Sequence, residues 1–476
     1  MEQYEILVIG SGEAGKYLAW TLAQAGRRTA LVERRLVGGS CPNIACLPSK
    51  NVIYSAKVAS LARRGSEFGL DGEPPAINMQ GVFQRKQKMV DGLKQLHWDR
   101  FRSSGTDLIL GEARFLGPRT VEVSLQEGGS RVIAGERVFL SLGSRATLPD
   151  LPGLAASNPM THIEALDLQR LPEHLVVLGG GYVGLELAQE LRRFGARVTV
   201  IERGPQLASR EDPEVGAALF ALFREEGIDV QLETNVREVA GRSGQEVRIR
   251  VEGPQGAQDI EGSDLLVALG RTPNTQSIGL EKAGVELDSH GYIKVNDRLE
   301  TTAEKIWAMG DCAGSPQFTH AAYDDFRVVR DNLLGSGTPR TTRGRLIPSC
   351  LFTDPELVRV GLNEKQARQL GIPYRMAQLP ASAVLRTRTV SEPRGFLKML
   401  IAAASDQILG FTAFCVEASE LLASVQTAMV GHLPYTVLRD ALYTHPTMSE
   451  GFVFMLSDLP AQIYGELRTD KTVSTT

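Results

Sequence analysis

EILVIGSGEAGKYLAWTLAQAGRRTALVE, residues 5–33, decides the fold. Glu5 to Ile9 is a β-branched apolar run of buried-strand length. Gly10, Gly12 and Gly15 follow at G-x-G-x-x-G spacing. Tyr17 to Ala25 has a helical pattern, closed by Gly26. A second strand, Thr29 to Val32, runs into Glu33. Strand, glycine turn, helix, strand and acid in this order form a dinucleotide fingerprint in its required context. The glycines let backbone approach a pyrophosphate seated on the helix N-terminus, and Glu33 is placed for ribose hydroxyls. The plain alternative is a glycine-rich turn in an unrelated α/β unit.

The pattern returns. Leu175 to Leu178 reads as a strand, Gly179, Gly181 and Gly184 repeat the spacing, and Leu185 to Phe194 reads as a helix ended by Gly195. The strand Arg197 to Ile201 then meets Glu202, and first glycine to acid is the same separation in both copies. A second echo pairs SLGSRATLPDLPGL (141–154) with ALGRTPNTQSIGL (268–280), placing Gly143 and Gly270 at matching turns. This is the signature of a duplicated nucleotide-binding unit. A carboxylate at Glu202 accepts from a free 2′-hydroxyl and repels a 2′-phosphate, which favours NAD(H); the adjacent Arg203 keeps NADP(H) as the alternative.

Five residues after Glu33 begins GGSCPNIACLPSK, residues 38–50. Cys41 and Cys46 have four residues between them, and no second such pair follows to complete a zinc site. One turn of helix would bring both sulfurs to one face, within disulfide reach. They read as a redox-active dithiol, against the alternative of two buried free thiols. Lys50 ends the stretch, placed to approach a flavin. Glu186, in the second fingerprint helix, is either a solvated position or the partner of Lys50 beside the redox ring.

The chain of 476 residues carries a net charge of −4 and is 42% hydrophobic, so neither nucleic acid nor an anionic membrane is indicated. It has no secretory n-region and no membrane-length apolar run. Five cysteines do not make a secreted disulfide framework, so the expectation is a cytoplasmic protein whose disulfide is catalytic. Residues 52–68 and 81–102 read as helices, the second with Val82, Met89, Val90, Leu93, Leu96 and Phe101 facing inward. Asp107 to Val123 and Arg131 to Leu142 read as a β-meander. Ile306 to Met309 is a strand ending in Gly310-Asp311, and Asp311 is a candidate for ribityl or ribose hydroxyls. His320 either packs near the same ring system or caps a helix. From about Leu346 short strands alternate with helices, ending in LYTHPTMSEGF (442–452). There His445 and Glu450 have the spacing of a base and its orienting carboxylate, the alternative being a surface-loop histidine. The tail Thr469 to Thr476 reads as disordered.

Together these motifs resemble the flavin-dependent pyridine nucleotide–disulfide oxidoreductases, a group that includes dihydrolipoamide dehydrogenase, glutathione reductase and mercuric reductase. GGSCPNIACLPSK is similar to the family's redox stretch, MGDCAG (309–314) to its second flavin contact, and HPTMSE (445–450) to its acid–base loop. The resemblance implies an α/β fold of two Rossmann-like domains and a C-terminal α+β dimerisation domain. It divides the chain into 1–150 (FAD-binding), 151–275 (NAD(P)-binding), 276–345 (return to the FAD-binding and central part) and 346–476 (dimerisation). It implies FAD held by the first fingerprint with Glu33, Lys50 and Asp311, and NAD(P)H held by Gly179, Gly181, Gly184, Glu186, Glu202 and Gly270; Gly143 and His320 stand beside these as cofactor-binding candidates read from the residues. Cys46 would face the flavin and Cys41 a small disulfide or dithiol substrate. His445, oriented by Glu450, would serve the partner subunit's site in an obligate homodimer. No metal ligands are implied.

The chain also departs from the family. Ala45 stands where Gly is usual, Leu142 and Leu269 where Thr is common, and Tyr443 where dihydrolipoamide dehydrogenases carry a second His. The last cysteine is Cys415, so the C-terminal pair of mercuric reductases is missing, while the HPT loop they usually lack is present. A metal ion or quinone as acceptor, or a flavoprotein component without turnover, are the other readings.

Overall fold

The structure is a computed structural model, and it describes residues 1–335 and 337–465. The expectation for Thr469 to Thr476 lies outside the described residues. The first sheet has a parallel part in the order Asp107–Gly117, Thr29–Glu33, Glu2–Ile9, Ser130–Leu140 and Ile306–Ala308. The strand Thr120–Leu125 joins the two longest strands antiparallel, as the meander predicted. Pro118-Arg119 splits the expected 107–123 run, with Arg119 at φ 57°. A second parallel sheet runs Asp264–Val267, His174–Leu178, Arg197–Ile201 and Asp229–Gln231. Beside it lies an antiparallel sheet of three strands within residues 235–262. The last sheet has five antiparallel strands, in the order Ser349–Leu351, Glu356–Gly361, Ile408–Cys415, Phe396–Ala402 and Tyr374–Pro380. The fold class is thus the expected α/β one, two doubly wound units with a separate antiparallel sheet.

Both fingerprints close in the same way. Gly10 and Gly179 sit at φ 97° and 109°, which an L side chain resists, and an added Cβ would strike the carbonyl of Ser141 or Ala268. A Cβ at Gly15 or Gly184 would come within 2.2 Å of the carbonyl of Gly10 or Gly179, so these third glycines allow helix to pack on strand.

Two expectations about helices need correction. Cys41 and Cys46 do not share one helical turn. Cys41 lies in the short helix Ser40–Ile44, Cys46 opens the redox helix Cys46–Arg63, and the chain breaks between them at Ala45. Pro48 explains the break, since in a continuous helix its ring would meet the carbonyl of Ile44 and it has no N–H to give it. In the helix Met79–Ser104, Leu96 is 65% exposed, whereas Lys86 is buried in the row of Val90 and Phe101 and pairs with Asp167. At 3.6 residues per turn Leu96 lies roughly 100° round from that row.

Buried ion pairs fasten the last sheet to the second nucleotide unit. Arg193 binds Glu226 and Asp354, each at 2.6 Å. Lys398, 1% exposed, places its ammonium among Asp212, Glu214 and Glu364. These three carboxylates come close enough to hold a metal ion, and the lysine fills that position.

Candidate active site

The redox helix starts beside the first fingerprint because the turn before it packs on that fingerprint. A Cβ at Gly39 would come within 2.5 Å of the Gly12 Cα. Cys41 and Cys46 are both free thiols, partly buried, and hydrogen-bonded to each other. Cys46 Sγ also lies 3.2 Å from Thr319 Oγ1. The two thiols are driven apart in acidity. The hydrogen bond from Cys41 is the main cause lowering Cys46 to about 6; Thr319 and the charge of Lys50 assist, against burial. Cys41 is pushed far up, first because it is the donor to Cys46 and then by burial. One sulfur is thus poised as a thiolate and the other as a protonated thiol, as the two steps of disulfide exchange require.

Lys50, one turn along the same helix, reaches the second unit. Its Nζ donates to Glu186 Oε2 at 2.8 Å and lies 4.7 Å from the centre of the Phe352 ring. Glu186 Oε1 accepts from the Phe352 N–H at 2.9 Å. The reading of Glu186 as a solvated position is thereby excluded, since its side chain is 9% exposed and paired with Lys50.

The acids at the two strand ends are organised alike. Glu33 Oε2 accepts from Ser11 N–H and Oγ at 2.8 and 2.7 Å, and Oε1 from the N–H of Arg35 and Leu36. Glu202 accepts from the N–H of Gly180 and of Gly204, both at 2.7 Å, and Arg203 is exposed beside it. The helices that follow, Glu13–Gln24 and Tyr182–Phe194, begin at Gly12 and Gly181 with no side-chain cap. Beside Gly181 a Cβ would meet open space. Uncapped N–H groups at a helix start, with an acid at the neighbouring strand end, suit a dinucleotide's pyrophosphate and ribose.

Asp311 is the second residue of the short helical turn Gly310–Ala313, accepts from the Ser144 hydroxyl, and lies 3.9 Å from Arg271 Nε. Gly143 and Gly270 start the two strands that pair at Ser144–Ala146 and Arg271–Pro273, so the two echoed turns meet. His320 caps no helix. It is exposed, stacks on Phe318 at 5.2 Å, and its Nε2 bonds the Pro348 carbonyl at 2.8 Å. It follows Thr319, the residue that touches Cys46.

His445 is 63% exposed and its Nδ1 donates to both oxygens of Glu450, at 2.9 and 3.1 Å. That bond holds the Glu450 carboxyl below its usual range. It also leaves Nε2 to face outward as an acceptor. Tyr443 instead turns inward, its hydroxyl bonding the Leu438 carbonyl at 2.9 Å.

Thr319, Phe352, Ser144 and Arg271 complete the site, though none is singled out by the sequence alone. Ser144 and Arg271 lie inside the echoed stretches 141–154 and 268–280, next to Gly143 and Gly270, and Thr319 lies five residues past MGDCAG, while no motif marks Phe352.

The descriptions of known families match the chain in two parts. Residues 4–325 match "Pyridine nucleotide-disulphide oxidoreductase", and residues 347–456 match the dimerisation domain of the same family. The chain is 36% identical to the probable pyridine nucleotide-disulfide oxidoreductase RclA of Escherichia coli, over 94% of this chain and 98% of that one. It is 34% identical to a mercuric reductase of Streptomyces lividans, over 94% of each. Among solved structures, a Cu(II) complex of the HOCl-induced flavoprotein disulfide reductase RclA from Escherichia coli superposes with a TM-score of 0.87, at 34% identity, over 96% of this chain and 99% of that one.

Proposed function

The chain belongs to the pyridine nucleotide-disulphide oxidoreductases, and on that footing we propose that it is an FAD-dependent NADH:disulfide oxidoreductase working through Cys41 and Cys46. The observation that carries this reading is the opposed acidity of the two sulfurs, with Thr319 and Lys50 gathered on Cys46.

FAD, bound along the first fingerprint, would relay the electron pair of a nicotinamide to the Cys41–Cys46 disulfide. The rest is work for the chain's own groups. Gly12 and the N–H groups after it receive the pyrophosphate, Glu33 the ribose, and Asp311 the ribityl hydroxyls. Gly181 and Glu202 do the same for NADH. Lys50, steadied by Glu186, holds positive charge beside Cys46 and favours its thiolate. Cys41, the higher-pKa sulfur, attacks the substrate disulfide once a base removes its proton. His445 is that base. Nδ1 is fixed by Glu450, so Nε2 takes the proton and returns it to the leaving thiol.

His445 faces outward from its own chain, which fits service to a second copy. The exposed apolar side chains Val430, Val437, Leu442 and Phe454 of the same C-terminal unit would cover one another in a homodimer. The expected acceptor is a small disulfide. A second reading is a soft metal ion reduced at Cys41. It is favoured by the mercuric reductases among the relatives and by the Cu(II) complex that the Escherichia coli RclA forms. Among the described residues no helix is long and apolar enough to cross a membrane. We place the protein in the cytoplasm, where a dithiol of this kind is catalytic rather than structural.

The test is NADH oxidation by purified protein with a panel of small disulfides in one arm and Hg(II) or Cu(II) in the other. Turnover with a disulfide, lost in both Cys41→Ser and Cys46→Ser, supports the proposal. Disulfide turnover that survives both substitutions refutes it, and turnover confined to the metal arm transfers the assignment to the second reading.

A further inference from the structure

One carboxyl next to the Lys50–Glu186 pair has no part in this scheme. Glu190 lies on the helix Tyr182–Phe194 one turn beyond Glu186, so their β-carbons stand about 5–6 Å apart. Glu190 is 3% exposed, and its Oε2 has no hydrogen-bond partner among the described residues. The charges acting on it are Glu186 of its own helix and Lys50 of the redox helix, and Lys50 is already bonded to Glu186. From the strand Ser349–Leu351, the Cys350 thiol feels the same two groups. Further along, Arg193 is bound to Glu226 and Asp354, and Lys57 to Asp354. Lys50, Lys57 and Arg193 thus each have another carboxylate as partner, and Arg63 and Arg192 bond backbone carbonyls. A buried carboxylate with an unbonded oxygen and a second carboxylate beside it is costly, and such a group carries a proton instead. Burial first, and then Glu186, hold the Glu190 carboxyl well above the ordinary carboxylate range, with Lys50 opposing.

We propose that Glu190 is a redox-linked proton store, holding its proton more tightly when the Cys41–Cys46 disulfide is reduced and more loosely when the disulfide re-forms. The proposal rests on the dithiol reading given above. Two electrons break the sulfur–sulfur bond. Cys46 keeps its share as a thiolate and Cys41 takes one proton as a thiol. The new negative charge lies near Lys50, and its potential opposes that of Lys50 at Glu190. An ionised Glu190 is then less well stabilised. Its affinity for a proton from solvent therefore rises, and the share of chains that hold one rises with it. Oxidation reverses each step.

Infrared titration of the holoenzyme tests this directly. The carbonyl stretch of a protonated carboxyl stands apart from carboxylate and amide bands, and its intensity is followed against pH before and after reduction by dithiothreitol, with free thiols counted in parallel. The expected result is an acid band that disappears in Glu190→Gln and whose half-point rises by on the order of 1 pH unit on reduction. Glu190→Met keeps the volume without the amide and serves the same purpose should the glutamine variant fail to fold. A wild-type spectrum that coincides with both variants overturns the proposal. So does a half-point unmoved by reduction while two new thiols appear, and in that case the dithiol reading stands. If dithiothreitol exposes no new thiols, both fall.

Discussion

Replacing Cys41 by Ala and by Ser separates the hydrogen bond to Cys46 from the mere presence of a second sulfur. In the native pair the bond from Cys41 is the main reason that Cys46 titrates at about 6, so its thiolate is lost as pH falls through that value. A hydrogen bond to a charged group contributes about 1.5–3 kcal/mol, or roughly 1–2 pKa units. Alanine removes the donor, leaving Thr319 and Lys50, so Cys46 should then titrate at roughly 7–8. Serine restores an O–H at the same place, and its half-point should stay nearer the native one. The assay is the pH dependence of iodoacetamide alkylation of Cys46, located by peptide mapping. Cys312 and Cys415 are fully buried and will not compete. Equal half-points for the two variants would mean that the hydrogen bond does not set the acidity of Cys46. A serine variant titrating near the free-thiol value of about 8.5 would mean the same.

Glu202 should make NADH the better reductant by kcat/KM, and Glu202→Ala should narrow the gap to NADPH; a native preference for NADPH would mean that Arg203 outweighs the acid. His445→Ala should keep reduction of the bound flavin by NADH while slowing disulfide turnover by about 10²–10⁴-fold, the range for a general acid–base. Mixing Cys41→Ser with His445→Ala subunits should restore part of the activity, because a mixed dimer has one intact shared site; no recovery despite proven exchange would assign His445 to its own chain or to no catalytic role. Thr319→Val should raise the Cys46 half-point by about 1 unit, the weaker end for a hydrogen bond to a charged group, and an unchanged half-point would leave Thr319 no part in tuning that sulfur.

What could be read in the sequence was what is local. The two fingerprints carry their structure in glycine spacing, because a positive φ at Gly10 and a close approach at Gly15 are needs of single backbone positions. His445 and Glu450 are likewise five residues apart and meet within one loop. The contacts that tune the site are not local. Thr319 reaches Cys46 across 273 residues, and the Phe352 N–H reaches Glu186 across 166. No periodicity or spacing marks such pairs, since they exist only once the last sheet is docked on the second nucleotide unit. Glu190 was invisible for another reason. A glutamate on an amphipathic helix reads as solvated, and only the packing of the redox helix across that face buries it. The break at Ala45 was legible in principle from Pro48, but the cysteine spacing alone suggested an unbroken turn.

If Cys41 and Cys46 are the working dithiol, electrons from NADH must come to rest on those two sulfurs. Anaerobic titration of the purified flavoprotein with NADH, followed by acid quench, alkylation and peptide mapping, follows them there. Two new thiols per chain are expected, on Cys41 and Cys46 alone, appearing in step with consumption of the first equivalent of NADH. Reduction of the bound flavin with no new thiol at either position would contradict the assignment.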